Sequence, residues 1–248
     1  MNKTKRFEVT SMGLHFLAMG FMLLDHTWAT LIPDNQWLTN AGRLAFPIFA
    51  FMIVEGYFYT SDLKKYVKRL FGIALLSEIP FNIMTSSSLI NPFEQNVIWT
   101  YLIGILLIHL NEKAKEKNQS WLSILVGLGT IILGYILGIL AMADYYYAGI
   151  FIILTFYFFR GRSLKNFIAQ LVVLSYIYFS LMLGLAYEVE ILGTTFWINQ
   201  QGFALLAQIP IWLYQGKQGP YNKSLKRLYY YFYPVHMLIL ALLSYLTW

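Results

Sequence analysis

Residues 121–141 read WLSILVGLGTIILGYILGILA, a stretch with no charged side chain and no proline. An α-helix rising 1.5 Å per residue needs about 20 such residues to cross a hydrocarbon layer roughly 30 Å thick. This run has that length, and it sets the reading of the rest of the chain. Working outward, eight more apolar runs lie at 12–32, 41–59, 67–85, 96–111, 145–160, 165–187, 196–214 and 229–247. The runs 96–111 and 145–160 are short and need flanking residues to span. The links at 141–145 and 160–165 are so tight that the helices they join must be antiparallel neighbours. Strand-like alternation, internal repeats and low-complexity segments are all missing. The expected fold is all-α: one polytopic membrane helix bundle covering residues 1–248, with about nine transmembrane helices.

Composition agrees. The chain is 58% hydrophobic and only 12% charged, whereas a soluble domain is about 25% charged. An aromatic content of 18% argues against disorder, and the lack of Cys removes thiol catalysis, iron–sulfur clusters and zinc–thiolate sites. The loops are too short for a soluble nucleotide-binding domain, so any chemistry is expected inside the bundle.

The formal charge of +6 is explained by where the basic residues fall. Of the 18 Lys and Arg, all but Arg43 gather on alternate connections: Lys3, Lys5 and Arg6; Lys64, Lys65, Lys68 and Arg69; Lys113, Lys115 and Lys117; Arg160, Arg162 and Lys165; Lys217, Lys223, Lys226 and Arg227. The other side carries Arg43 with Asp34, Glu94, Asp144, Glu188 and Glu190. The positive-inside rule then predicts a cytoplasmic N-terminus and a C-terminus on the other side. The first span, which holds Asp25 and His26, is expected to be retained rather than cleaved. No nucleic-acid partner is needed to explain the charge.

Ionisable groups within spans cost a few kcal/mol each to insert, so each is a functional candidate. They are His15, Asp25, His26, Arg43, Glu55, Glu78, His109 and His236. Counting helical rise from the span ends puts Asp25, His26 and Glu78 about 10 Å below the outer surface. Arg43 and Asn96 open the adjacent spans at that side. His15 and His109 fall near cytoplasmic ends and read as interfacial, and Glu55 is expected to pair with Lys64, Lys65 or Lys68. An Asp25–Arg43 ion pair that only fixes packing is the bland alternative. No HExxH-type spacing supports a metal site, and none is expected.

The string Leu24-Asp25-His26, followed by Gly42-Arg43-Leu44-Ala45-Phe46-Pro47-Ile48-Phe49-Ala50, resembles the opening of the TraX family. Asn96, Tyr147-Ala148-Gly149, Tyr233 and His236 continue the resemblance along the chain. It implies a membrane acetyltransferase of the kind that modifies F-type pilin, within a superfamily that moves acetyl groups from cytoplasmic acetyl-CoA to acceptors at the far membrane face. On that basis His26 is the expected general base, oriented by Asp25 or Glu78, with Arg43 holding a carboxylate or an oxyanion. Asn96 and Tyr147 are expected at the outer mouth, and Tyr233 and His236 along the pantetheine route. Lys64, Lys68 and Arg69 are expected near the cofactor head. The acceptor stays open among a pilin-like peptide, a glycan and a lipid. A secondary proton-coupled transporter using the same intramembrane residues is the alternative class.

Overall fold

The computed structural model describes residues 8–182, 184–220 and 222–247, so Lys3, Lys5 and Arg6 lie outside the described residues. The chain is mostly helical: α1 Ser11–Thr30, α2 Gln36–Gly42, α3 Ala45–Tyr59, α4 Leu63–Ser86, α5 Val97–Lys115, α6 Ser120–Leu140, α7 Tyr146–Phe158, α8 Leu164–Tyr176, α9 Gln208–Leu213 and α10 Lys223–Thr247. Side-chain caps set several starts. Thr10 accepts from the Gly13 N–H, Asp62 from Lys65 and Asn96 from Ile98, each meeting an amide that the first turn leaves unpaired.

Five helical segments among the described residues are long and apolar enough to cross a membrane: Gln36–Tyr59, Val97–Lys115, Ser120–Leu140, Leu164–Leu181 and Lys223–Thr247. Tyr146–Phe158 is a shorter apolar helix. Two of the expected spans lie outside this set although they are long helices, because α1 carries Asp25 and His26 and α4 carries three lysines, an arginine and Glu78.

The largest departure from the sequence reading is the run 196–214. Instead of an α-helix it begins in a β-hairpin, Ala186–Ile191 (β1) paired antiparallel with Thr194–Asn199 (β2). A 3-10 helix, Gln200–Ala207, then leads into the short α9. The hairpin end is tied to Asn40 through Tyr187 and Gln200, whereas the far end pairs Val9 with Leu213 and Tyr214. This segment therefore runs from the C-terminal end of α1 back to its N-terminal end. A 3-10 helix rises about 2.0 Å per residue against 1.5 Å for an α-helix, so a short stretch covers the distance.

The core lies where α3, α5 and α7 meet, with Ile48, Leu107, Ile108, Ile150, Ile152 and Ile153 fully buried. α6 packs against α5 and α7 while exposing Ile124, Leu125, Leu128 and Ile132, as a lipid-facing helix does. Its packed face carries Gly127, Gly134 and Gly138. A Cβ at Gly138 would meet the Tyr147 backbone at 2.5 Å, so the two helices touch main chain to main chain. As the tight links require, α6 packs on α7 and α7 on α8.

Basic connections collect at one end of the bundle. Arg160 bonds Glu55 at 2.7 Å, and Arg162 donates to the Trp212 carbonyl. The partner of Glu55 is thus Arg160 rather than Lys64, Lys65 or Lys68, because the C-terminal ends of α3 and α7 converge there.

Candidate functional site

The imidazoles of His26 on α1 and His236 on α10 are joined by a hydrogen bond of 2.7 Å, from Nδ1 of His26 to Nε2 of His236. His236 also uses Nδ1, 2.7 Å from the Phe232 carbonyl. A carbonyl only accepts, so His236 carries its proton on Nδ1 and its Nε2 is an acceptor. His26 must then donate from Nδ1, which leaves its Nε2 lone pair free. Among the described residues no group bonds that nitrogen. The rings lie nearly parallel, 6° apart, with Phe232 stacked on His236 and Tyr233 beside both imidazoles. His236 is buried.

Counted from the start of the apolar run at 229, His236 falls about 10 Å from the inner surface. α10 in fact begins at Lys223, so His236 sits about 20 Å along it, and His26 lies about 22 Å along α1. Both helices start at the same end of the bundle, where Ser11 bonds the Lys217 carbonyl. Equal depth on two parallel helices is what brings the imidazoles together. Pro234 lies between Tyr233 and His236 and removes a backbone bond of the helix at this point.

Neither carboxylate orients His26. Asp25, one residue earlier, is rotated about 100° around α1 and faces α2. It accepts from the Thr39 hydroxyl at 2.7 Å and from the Arg43 guanidinium, which also bonds Thr39. Gly42 permits this approach, since a Cβ there would lie 2.4 Å from Asp25 Cβ. Glu78 belongs to a third group, in which one of its oxygens accepts from the Asn96 side chain and from the Trp99 indole at 2.6 Å. Asn96 also donates to the Ala74 carbonyl, pinning the start of α5 to α4.

A cavity of about 350 Å³ lies between α1, α3, α4, α5 and α10. Its mouth holds Ser11, Thr60, Arg69, Gln218 and Lys226, all at the basic end of the bundle. Its walls are apolar and aromatic, with Met12, Met19, Met22 and Met52 among them. Its inner end includes Met22, Phe232 and Tyr233, four residues before His26 and four and three before His236. Neither imidazole lines the cavity, but Phe232 and Tyr233 do, and both of their rings pack against His236. His15 stands near the mouth, its Nδ1 bonded to the Ser11 carbonyl and its ring stacked on Tyr229 at 4.2 Å.

Of the cations expected at the cofactor head, Arg69 lines the mouth, while Lys64 and Lys68 are exposed and do not. Tyr147 packs against Tyr135 and Phe151, away from the histidines. Met22 and Thr39 are not singled out by the sequence. The cluster Lys223, Lys226 and Arg227 reads chiefly as an orientation signal with a secondary use in binding an anionic cofactor head, and Lys226 is its member that lines the mouth.

Asp144 is another addition. It sits in the link between α6 and α7, where Met142, Tyr145 and Tyr146 all adopt left-handed backbone conformations, a strained arrangement for side chains of this size. The link is held by backbone bonds to Gln95 and by Thr100 donating to the Asp144 carbonyl at 2.7 Å. Burial pushes the Asp144 carboxyl up to about 7, against the pull of the Arg43 guanidinium, and the Asp25 carboxylate adds to the rise. Among the described residues no cluster of three or more His, Asp or Glu side chains is arranged to hold a metal ion.

Fold and site together define a multi-pass helical membrane protein with a paired-histidine centre next to a basic-mouthed cavity. The family model described as TraX protein matches residues 11–244. The chain belongs to the TraX family. A curated relative, a probable fimbrial assembly protein FimC (serogroup H1) from Dichelobacter nodosus, is 27% identical over 117 residues, covering 42% of this chain and 48% of its own length. The match thus spans about half of that relative. No solved structure matches the chain.

Proposed function

We propose that this protein is a membrane acetyltransferase that takes an acetyl group from cytoplasmic acetyl-CoA and gives it to an amine or hydroxyl at the opposite membrane face. The reading places the bundle in the bacterial cytoplasmic membrane with about nine crossings, its N-terminus and basic end in the cytoplasm. The observation that carries it is the hydrogen-bond chain from the Phe232 carbonyl through His236 to His26, which leaves His26 Nε2 unbonded one helical turn from Met22 of the cavity wall.

Acetyl-CoA is too charged to cross a bilayer, but its pantetheine arm is slender. Arg69 and Lys226 suit its phosphates, and the apolar walls suit the arm. His26 Nε2 takes the proton of the acceptor as its heteroatom attacks the thioester carbonyl, and the departing thiolate receives a proton as CoA thiol. His236 stabilises the His26 imidazolium by accepting from Nδ1. Asp25, Arg43 and Thr39 hold α1 and α2 in register beside this centre. The acceptor is a pilin-like peptide, a glycan or a lipid. The related fimbrial assembly protein favours a peptide by its name alone.

The test is incubation of the purified protein with labelled acetyl-CoA and bacterial membrane fractions, followed by mass spectrometry of the labelled product. Label that appears only with the active protein, and disappears in His26→Ala, supports the reading. Uptake of a solute into proteoliposomes without any consumption of acetyl-CoA would replace it with a transporter.

A further inference from the structure

The inner end of the cavity is more apolar and more adaptable than an acetyl group requires. Met19, Met22 and Met52 line the cavity alongside Phe49 and Ile53, and Met22 lies one turn before His26 on the same face of α1. Methionine has three rotatable bonds and a polarisable thioether, so it yields to ligands of different shape. A wall made for acetyl alone would use rigid, branched side chains that close around a single methyl group.

We propose that the cavity accepts acyl thioesters longer than acetyl, three- and four-carbon groups included, and that Met22 sets the upper limit. This rests on the acyl-transfer reading above and narrows its substrate class. The reaction keeps its form: the thioester C–S bond breaks, and the acyl carbon bonds to the acceptor heteroatom. The acceptor's proton passes through His26 Nε2 to the departing sulfur, giving CoA thiol. Each added methylene would lie against apolar wall rather than water. A methylene in such a pocket changes discrimination by roughly 10-fold or more, in the direction set by whether it fits.

The experiment measures CoA thiol release by the full-length protein in nanodiscs, with membrane extract as acceptor, for acetyl-, propionyl-, butyryl- and hexanoyl-CoA. The expected result is turnover of propionyl- and butyryl-CoA at no less than about one tenth of the acetyl rate. Met22→Phe should lower the butyryl-to-acetyl ratio about tenfold, and Met22→Ala should raise the hexanoyl-to-acetyl ratio. These ratios move in opposite directions, so a general loss of folding cannot imitate them. Acetyl-CoA used while propionyl-CoA is rejected about 100-fold overturns the inference and leaves the acetyl reading standing. If no thioester is consumed, the acyl-transfer reading falls, and this inference with it.

Discussion

His26 donates its Nδ1 proton to Nε2 of His236, 2.7 Å away and 210 residues further along the chain. Because His236 is itself fixed by the Phe232 carbonyl, both imidazoles have a single neutral tautomer. His26→Ala is expected to lower transfer by about 10²–10⁴-fold, the range that a positioned general base contributes, while the protein still inserts. Near-normal turnover in that variant refutes the assignment.

His236 acts through His26, so its variants should separate by chemistry. His236→Ala removes the acceptor for Nδ1–H, whereas His236→Gln retains a side-chain oxygen that can accept. The Gln variant should recover part of the rate lost in Ala and shift the acid limb of the pH–rate profile less. Equal rates and equal profiles for the two would show that His236 only fills space.

Asp25 and Arg43 form a largely buried ion pair, their side chains 17% and 15% exposed. Removing one partner leaves the other uncompensated, a change that costs ~3–5 kcal/mol in buried pairs. Asp25→Asn and Arg43→Met should therefore each lower the thermal midpoint of the detergent-solubilised protein. Full thermal stability combined with lost transfer would mean that the pair acts on substrate instead.

Two glycines of α6 should respond differently to the same change. Gly138→Ala pushes a methyl into the Tyr147 backbone, whereas a Cβ at Gly129 meets nothing within 4 Å. The first is expected to destabilise by about 1–3 kcal/mol. The second is expected to be neutral, or to gain up to about 1 kcal/mol from helix propensity. Thermal unfolding of the two single variants decides the point.

The pH dependence follows from Asp144. Burial pushes its carboxyl up to about 7 from the ordinary 3.8, so the folded state holds the proton more tightly. The resulting stability is fully present below pH 3.8 and is lost as pH rises through about 7. Asp144→Asn should remove this slope. Thermal midpoints of the two proteins between pH 4 and 8 should diverge as the pH rises, the variant becoming the more stable. Parallel curves would contradict it.

Much of the bundle was legible in the chain because charge is scarce in lipid. The uncharged run at 121–141 became α6, and the basic residues, Arg43 apart, marked connections that the structure gathers at one end wherever it pairs them. The run 196–214 was not legible. Hydropathy reports only that a run is apolar, and an exposed strand leading into a partly buried 3-10 helix carries as many apolar side chains as a spanning α-helix. The site was half legible. Expense in lipid picked out His26, Asp25, Arg43, Glu78 and His236 one by one, yet it could not say which would meet.

The sequence by itself determined that this is a helical membrane protein whose few buried ionisable groups matter, since desolvation penalises each of them wherever it sits. Only the tertiary structure decided the partnerships. Asp25 went to Arg43 and Glu78 to Asn96 and Trp99, leaving His26 to His236. The reason is geometric: a rotation of about 100° per residue sends Asp25 and His26 to different neighbours. Which neighbour stands there depends on helices far apart in the chain, packed side by side.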